Sequence, residues 1–429
     1  MMMQIAFVLA LVAFIYLARK RYLFIQKGIL LGKPVSPNTE QGWNNVLLYA
    51  LGQKKMFEKP LVGILHAIVY FGFFVVNIEV IEIILDGLLG THRILTSILP
   101  IGLYQLLINL FEVFALGVIV SCVIFLIRRN VVKLPRFQAK ELKGWAYKDA
   151  NLILLFEIAL MSAFLKMNAA DSVLQQREVG YAAIGNFWIS SLWIPIYENF
   201  GTSWLIAIER IAWWFHILGI FGFAVYVTYS KHLHIILGFV NIYYSPNKPV
   251  GAIENMPSVT AEVKSMMGLP TENTDAAAPP ARFGAKDVTD LTWKNLLDAF
   301  SCTECGRCSS VCPASQTGKL LSPRKIMMDT RDRAESLAKG NEPEKTLYEN
   351  YITNEELFAC TSCNACVEAC PVGINPLEII IEMRRYAAME ESKTPQAWNV
   401  MFANIENNAT PWSLSANDRA NWIKTINNK

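Results

Sequence analysis

Two cysteine runs of identical spacing constrain this 429-residue chain more than any other feature. Cys302, Cys305, Cys308 and Cys312 form the first, and Cys360, Cys363, Cys366 and Cys370 the second; Pro313 and Pro371 follow the fourth cysteines. Eight of the nine cysteines are committed in this way. Three closely spaced thiolates can wrap one corner of a cubic iron–sulfur cluster, and a fourth must then arrive from elsewhere in the chain. The proline ends the local helix and turns the fourth thiolate inward. Zinc sites commonly pair two short cysteine hooks, and a disulfide framework does not require a repeated four-cysteine run. The pattern predicts two 4Fe-4S clusters and a protein that moves electrons.

The spacing resembles that of two-cluster bacterial ferredoxins, in which the fourth ligand is exchanged between runs. The resemblance implies that Cys302, Cys305, Cys308 and Cys370 hold cluster one, and Cys312, Cys360, Cys363 and Cys366 hold cluster two. Such thiolates favour a reducing compartment. Cys122 lies in an apolar run and is expected to pack as a small hydrophobe.

Hydrophobic residues make up 53% of the chain and mean hydropathy is +0.29, with the apolar share concentrated before about residue 245. A membrane span needs about 20 mostly apolar residues. Five candidates read roughly as 3–25, 61–85, 98–127, 150–168 and 203–230. The first has Arg19, Lys20 and Arg21 after its apolar run, as a retained anchor does and a signal peptide does not. These side chains are expected to snorkel to the interface. Lysines and arginines crowd the segments after spans one and three, whereas the opposite loops carry only Arg93 and Arg177. The basic segments are therefore expected on the cytoplasmic side of an inner membrane, with the N-terminus outside and the cysteine runs in the cytoplasm. A net charge of +3 gives no nucleic-acid footprint.

All five histidines, His66, His92, His216, His232 and His234, precede residue 245. Histidines within spans are costly and are functional candidates. Two facing helices can hold a b-type haem through axial histidines, and Gly63, Gly72, Gly219, Gly222 and Gly238 lie near the candidates as room for a ring. Histidines on spans two and five resemble those of the cytochrome b (gamma) subunit of membrane nitrate reductase and the membrane subunits of heterodisulfide reductase. The resemblance implies that His66 and His234 ligate a cytoplasm-side haem, and that His216 belongs to an outer one. That family's second span-two histidine has no counterpart here, where Val76 and Asn77 stand; His92 is a candidate substitute. Depth alone also permits His66 with His216. His232 is expected at the interface, on another helix face from His234.

Intramembrane polar residues mark proton or ligand paths. Asn77, Glu79 and Glu82 on span two are the candidates for a quinone's carbonyls and protons, with Glu112, Glu157, Glu209 and Arg210 as further members. A helix-end position or an internal ion pair is the plainer role for any of these carboxylates.

Residues 245–290 read as a proline-rich linker, with Thr271–Pro280 small and polar. Leu296, Leu297 and Phe300 predict a helix running into Cys302. Further helices are expected over Pro323–Thr330 and Glu344–Phe358, with Arg324, Lys325, Arg331 and Arg333 on solvated faces. The cluster segment resembles the all-helical ferredoxin domain found in the two-cluster subunit of heterodisulfide reductase and in succinate dehydrogenase iron–sulfur subunits. The tail from Asn404 through Trp412 to Trp422 resembles a segment that leads into cysteine-rich (CCG) modules, none of which follows within the 429 residues.

The expected fold class is mainly α: a five-helix transmembrane cytochrome b bundle (1–244), the linker, a cytoplasmic two-cluster helical ferredoxin domain (291–390) and a partner-docking tail (391–429). The expected function is an electron-relay subunit of a quinone-linked respiratory oxidoreductase. The resemblance implies a CCG-module or flavin-containing partner, including an electron-transferring flavoprotein. No dinucleotide fingerprint, phosphate loop or nucleophile–base pair supplies substrate chemistry in this chain. The alternative is a membrane ferredoxin for cofactor assembly or redox sensing, which has no need of axial histidines.

Overall fold

Apolar runs of this length fold as helices because a bilayer offers no partner to a free backbone N–H or C=O. The computed structural model describes residues 2–36, 39–178, 180–246, 249, 251–270, 282–418 and 420–427. The described residues are mainly helical and contain no multi-residue strand. The part of the expected linker spanning 271–280 lies outside them.

Five long helices come first: α1 (Met2–Ile29), α2 (Pro60–Leu89), α3 (Ile101–Asn130), α4 (Trp145–Leu174) and α5 (Thr202–Val227). Four of them, α2 to α5, are long and apolar enough to cross a membrane. Helix α1 is not one of the four. Its apolar half packs on α2 and α5 through Phe7, with Val80, Ile83, Ile217 and Phe221. Its charged half continues into the cluster domain. There Arg21 is buried, not snorkelling: it donates to the Thr228 carbonyl at 3.0 Å and to Glu335 at 2.8 Å. Local signals set the ends. Pro60 opens α2, and Gly90, with φ of 73°, closes it by donating to the Asp86 carbonyl. The bundle core centres on Tyr104, Ile108, Phe111, Phe164 and their neighbours, while Leu, Ile and Phe side chains on the outer faces stay exposed.

After α5 the chain breaks at Ser230, whose hydroxyl accepts from the His232 N–H, and restarts as α6 (His234–Tyr243). Three principal helices of the cluster domain follow: α7 (Trp293–Ser301), α8 (Pro323–Ala338) and α9 (Pro376–Met389). Thr292 and Asn295 form a capping box on α7, Ser322 caps α8, and Asn375 caps α9. Ala285 and Val288 are fully buried in this core, so the domain takes in residues the sequence assigned to the linker. The expected helix over Glu344–Phe358 is two short pieces, Leu347–Asn350 and Asn354–Phe358, and within the first Tyr348 and Glu349 leave helical geometry.

The arginines of α8 are the largest departure from the sequence reading. Arg324 and Arg333 are each 1% exposed, not solvated. Arg333 is buried against Asp287, and Arg324 against Glu141 of the loop between α3 and α4. A carboxylate from a distant segment, invisible to periodicity, makes burial of each guanidinium tolerable. The segments between α1 and α2 and between α3 and α4, rich in lysine and arginine, both touch the cluster domain: Lys33 pairs with Thr292, and Glu141 with Arg324.

Candidate functional site

In each cysteine run the residues between the first three thiols use the left-handed backbone region at the same two positions. Glu304 and Gly306 have φ of 54° and 72°, and Ser362 and Asn364 have 56° and 60°. Two such reversals curl the chain between the first and third thiols of each run. Gly306 and Asn364 suit this conformation. At Gly306 a Cβ would also lie 2.5 Å from Arg324 Nη1, so a close approach adds to the demand for glycine.

All nine cysteines are free. The fold brings Cys370 within electrostatic reach of Cys302, Cys305 and Cys308, and Cys312 within reach of Cys360 and Cys366. Cys302, Cys305, Cys308 and Cys370 line one cavity, which Cys366 also borders. Among the described residues no three His, Cys, Asp or Glu side chains converge as a single ion requires. Cys302, Cys305, Cys308 and Cys370, the set expected to hold cluster one, thus border a common cavity. Burial pushes the thiols of Cys302 and Cys366 up to about 12 and that of Cys370 to about 11. Ligation must therefore displace protons.

Arginines brace both loops, a feature the spacing did not reveal. Arg384 donates to the carbonyls of Leu357 and Cys360 and to the Ser362 hydroxyl. Cys360 Sγ accepts from the Ser362 N–H at 3.3 Å. Behind the first loop, Glu304 is engaged by Lys231 of the bundle and by Arg331 at 3.0 Å. Burial alone would raise the Glu304 carboxyl, but Arg331 and Lys231 outweigh it and hold the group below the usual carboxylate range.

The histidines divide into two sets. His66, His232 and His234 gather at the end of the bundle facing the first cysteine loop: His234 lies 5.4 Å ring to ring from His232 and within electrostatic reach of His66, as does Arg307. His234 pairs through Nδ1 with the Lys231 carbonyl at 3.2 Å, which orients the ring and leaves Nε2 for another partner. His66 Nδ1 is buried without a hydrogen-bond partner. His216 is fully buried within the bundle, with Nδ1 3.0 Å from the Leu160 carbonyl and Nε2 unpartnered. Val76, where the nitrate reductase pattern has a histidine, packs into the apolar core. The glycines serve helix packing more than ring space: a Cβ on Gly63 would meet Met56 and Phe57, and one on Gly219 would meet Leu160. Gly222 alone of the five glycines near the histidines has nothing within 4 Å.

A second cavity, of about 680 Å³, opens at the far end of the bundle. Glu79, Glu82, His92, Arg210, Trp213 and Trp214 are among its walls. His92 lies there, 3.5 Å from Asp171, whereas His216 does not line this cavity. Glu82 accepts from the Leu95 N–H and the Tyr104 hydroxyl. Glu112 accepts from Asn168, Ile189 and Ser190, and so anchors the loop after α4. Arg93 ties Asp171, Asn168 and Tyr104 together. Glu79 is different: it is 1% exposed and neither carboxyl oxygen has a partner. Asn77 turns its amide back onto the Phe73 carbonyl of its own helix and does not line the cavity.

Fold and site together define a membrane protein that carries an iron–sulfur electron-transfer domain. Residues 298–374 match the family of 4Fe-4S dicluster domains. The chain is 27% identical to the probable iron-sulfur-binding oxidoreductase FadF of Bacillus subtilis, over 96% of this chain and 59% of that protein. It is 25% identical to the EtfAB:quinone oxidoreductase of Syntrophomonas wolfei, over 88% of this chain and 53% of that protein. A probable membrane-anchored ferredoxin of Chromohalobacter salexigens is 30% identical over 37% of this chain and 26% of its own length. Heterodisulfide reductase subunits of Methanosarcina acetivorans and Methanosarcina mazei match over shorter stretches. The chain thus spans less than two thirds of the length of the first two relatives. No solved structure matches.

Proposed function

We propose that the chain relays electrons between a soluble redox partner and membrane quinone through two 4Fe-4S clusters and a b-type haem. When bound, the metal groups supply one-electron carriers; the chain's part is to hold them in line and separate them from water. Cys302, Cys305, Cys308 and Cys370 would hold cluster one, and Cys312, Cys360, Cys363 and Cys366 cluster two. His66 and His234 would ligate the haem at the cluster-facing end. The observation that carries this reading is the position of Arg307: it belongs to the first cysteine loop yet lies within electrostatic reach of His66. Cluster one would therefore be the neighbour of the haem.

Cluster two would face the soluble partner, since Cys363 is the exposed thiol of the eight. Beside it Trp398 packs edge-on against Phe358, with ring centroids 5.2 Å apart. Trp398 lies in the first turn of helix α10 (Gln396–Asn408), none of whose residues is buried. A CCG-module or flavin-containing protein would dock here, and the named chemistry of the quinone-linked relative supports an electron-transferring flavoprotein as the ultimate donor. The cluster domain would lie in the cytoplasm, with the N-terminus of α1 on the outer side of an inner membrane. Quinone would enter the far cavity, which Glu79, Glu82, Trp213 and Trp214 all line. A reduced-minus-oxidised optical spectrum of the purified chain tests the reading. Low-spin b-haem bands that respond to added quinol support it, and a spectrum with clusters but no haem sinks it.

A further inference from the structure

Arg307 is 6% exposed and lies between Cys305 and Cys308. Its Nη1 donates to the Lys55 carbonyl at 2.8 Å, whereas Nη2 is buried with no acceptor. Guanidinium stays charged in proteins, so the group cannot escape the cost of burial by losing its proton. An unsatisfied buried donor costs about 1–3 kcal/mol, and a charged one more. Two further buried polar atoms nearby also lack partners: His66 Nδ1 and the Tyr70 hydroxyl, one helical turn apart on α2 with rings 6.5 Å apart. Three carboxylates of the interface are already engaged, Glu141 by Arg324, Glu304 by Lys231 and Arg331, and Glu368 by Lys55. Arg136 and Arg324 add positive charge to the same interface. Arg307 also lines the cavity bordered by Cys302, Cys305, Cys308 and Cys370, and its Nη2 still needs an acceptor.

We infer that Arg307 Nη2 binds a propionate of the haem held by His66 and His234, so that the cluster domain completes the haem site of the membrane bundle. This rests on the haem reading above. A haem seated between those histidines at the cluster-facing end must carry its carboxylates out of the apolar bundle, and the interface with the cluster domain is where they can leave. A guanidinium offers a carboxylate charge-assisted hydrogen bonds of fixed geometry. The contact also sets redox behaviour: a cation on the propionate favours the reduced haem and keeps the propionate ionised. Without it, the ferric form gains and the propionate begins to titrate.

The test uses the full chain in detergent or nanodiscs. Arg307→Gln should retain both cluster signals and the haem, shift the haem reduction equilibrium at least tenfold towards the oxidised form (about 59 mV for one electron), and make its midpoint depend on pH. Arg307→Lys, a point charge, should recover most of the midpoint. An Arg307→Gln protein with unchanged midpoint and unchanged pH dependence overturns the proposal, while loss of haem in His66→Ala would leave the haem reading intact. A wild-type chain without haem overturns both. If Arg307→Gln does not fold, haem-depleted wild-type protein is reloaded with haem dimethyl ester. At least tenfold weaker retention than natural haem supports the contact, and equal retention overturns it.

Discussion

The guanidinium of Arg324 closes on the Glu141 carboxylate with two hydrogen bonds to Oε1, at 3.2 Å from Nε and 2.7 Å from Nη2. One residue lies on a helix of the cluster domain and the other in the loop between two membrane helices. The same side chain donates from Nη1 to the Arg136 carbonyl at 2.7 Å and sits against Gly306 of the first cysteine loop. Arg324 thus locks the position of one metal site to the face of the bundle that holds the histidines. A relay depends on such a lock, because its steps require fixed separations between carriers.

Glu141→Ala should therefore loosen docking without touching a ligand. It strands a buried guanidinium, a change that costs about 3–5 kcal/mol when one partner of a buried pair is removed. The expected outcome is a lower Tm and faster proteolysis between the domains, with both clusters still present by electron paramagnetic resonance. Unchanged stability would show that the clamp is ornamental.

The clamp also carries a pH dependence. Burial alone would raise the Glu141 carboxyl, but hydrogen bonds from Ser322 and Arg324 outweigh it and hold the group below its ordinary value of 4.5. A lowered carboxyl contributes stability above its unfolded value, and the contribution is lost as pH falls through the folded one. Docking should weaken as pH drops below about 4.5, and Glu141→Gln should flatten that part of the acid-stability curve. An identical curve for the two proteins would count against this assignment.

Cys312 provides the sharpest test of ligand exchange. It is the last cysteine of the first run in sequence but lies beside Cys360 and Cys366 in space. Cys312→Ser should damage the cluster held mainly by the second run and leave the first cluster's signal in place. Loss confined to the first cluster would refute the crossed assignment.

The haem reading predicts an equally selective loss. His66→Ala or His234→Ala should abolish the low-spin b-haem bands, since each removes an axial nitrogen, with the iron–sulfur content unchanged. His232→Ala should retain them. If His232→Ala removes the haem and His234→Ala does not, the two neighbours, 5.4 Å apart ring to ring, have exchanged roles.

Much of this architecture was legible in the sequence because it depends on local signals. The apolar run read as 61–85 lies within α2, and Leu296, Leu297 and Phe300 lie on the helix expected to run into Cys302. What was not legible depends on pairs distant in sequence. Arg324 and Arg333 look solvated until Glu141 and Asp287 are folded against them. Glu112 looks like a path residue until Ser190 and Asn168 satisfy it. Asn77 looked suited to a quinone carbonyl, but an amide within a span can satisfy itself on the preceding turn, and it does. Arg307 is equally opaque in sequence: nothing in the run between Cys305 and Cys308 announces that one of its nitrogens will be buried without a partner.

Glu79 is left as the carboxyl with a reason to exchange protons. Glu82 is held by Tyr104 and Leu95, and Asp86 by Thr91, Arg93 and Ile94, so neither is free to change partner cheaply. Glu79 has no protein partner for either oxygen and lines the far cavity, whose walls also include two tryptophans with flat apolar faces suited to a quinone ring. A carboxyl in that position can donate to a carbonyl as it is reduced and take the proton back when a quinol is oxidised. Glu79→Gln retains the size and the hydrogen-bonding edge but cannot cycle a proton. It should leave clusters, haem and midpoint potentials in place and slow haem reduction by added quinol about 100-fold or more, the usual contribution of a positioned acid or base. Glu82→Gln should instead loosen the loop at Leu95 and lower stability. A Glu79→Gln protein that reacts with quinol at the wild-type rate would move the quinone site out of this cavity.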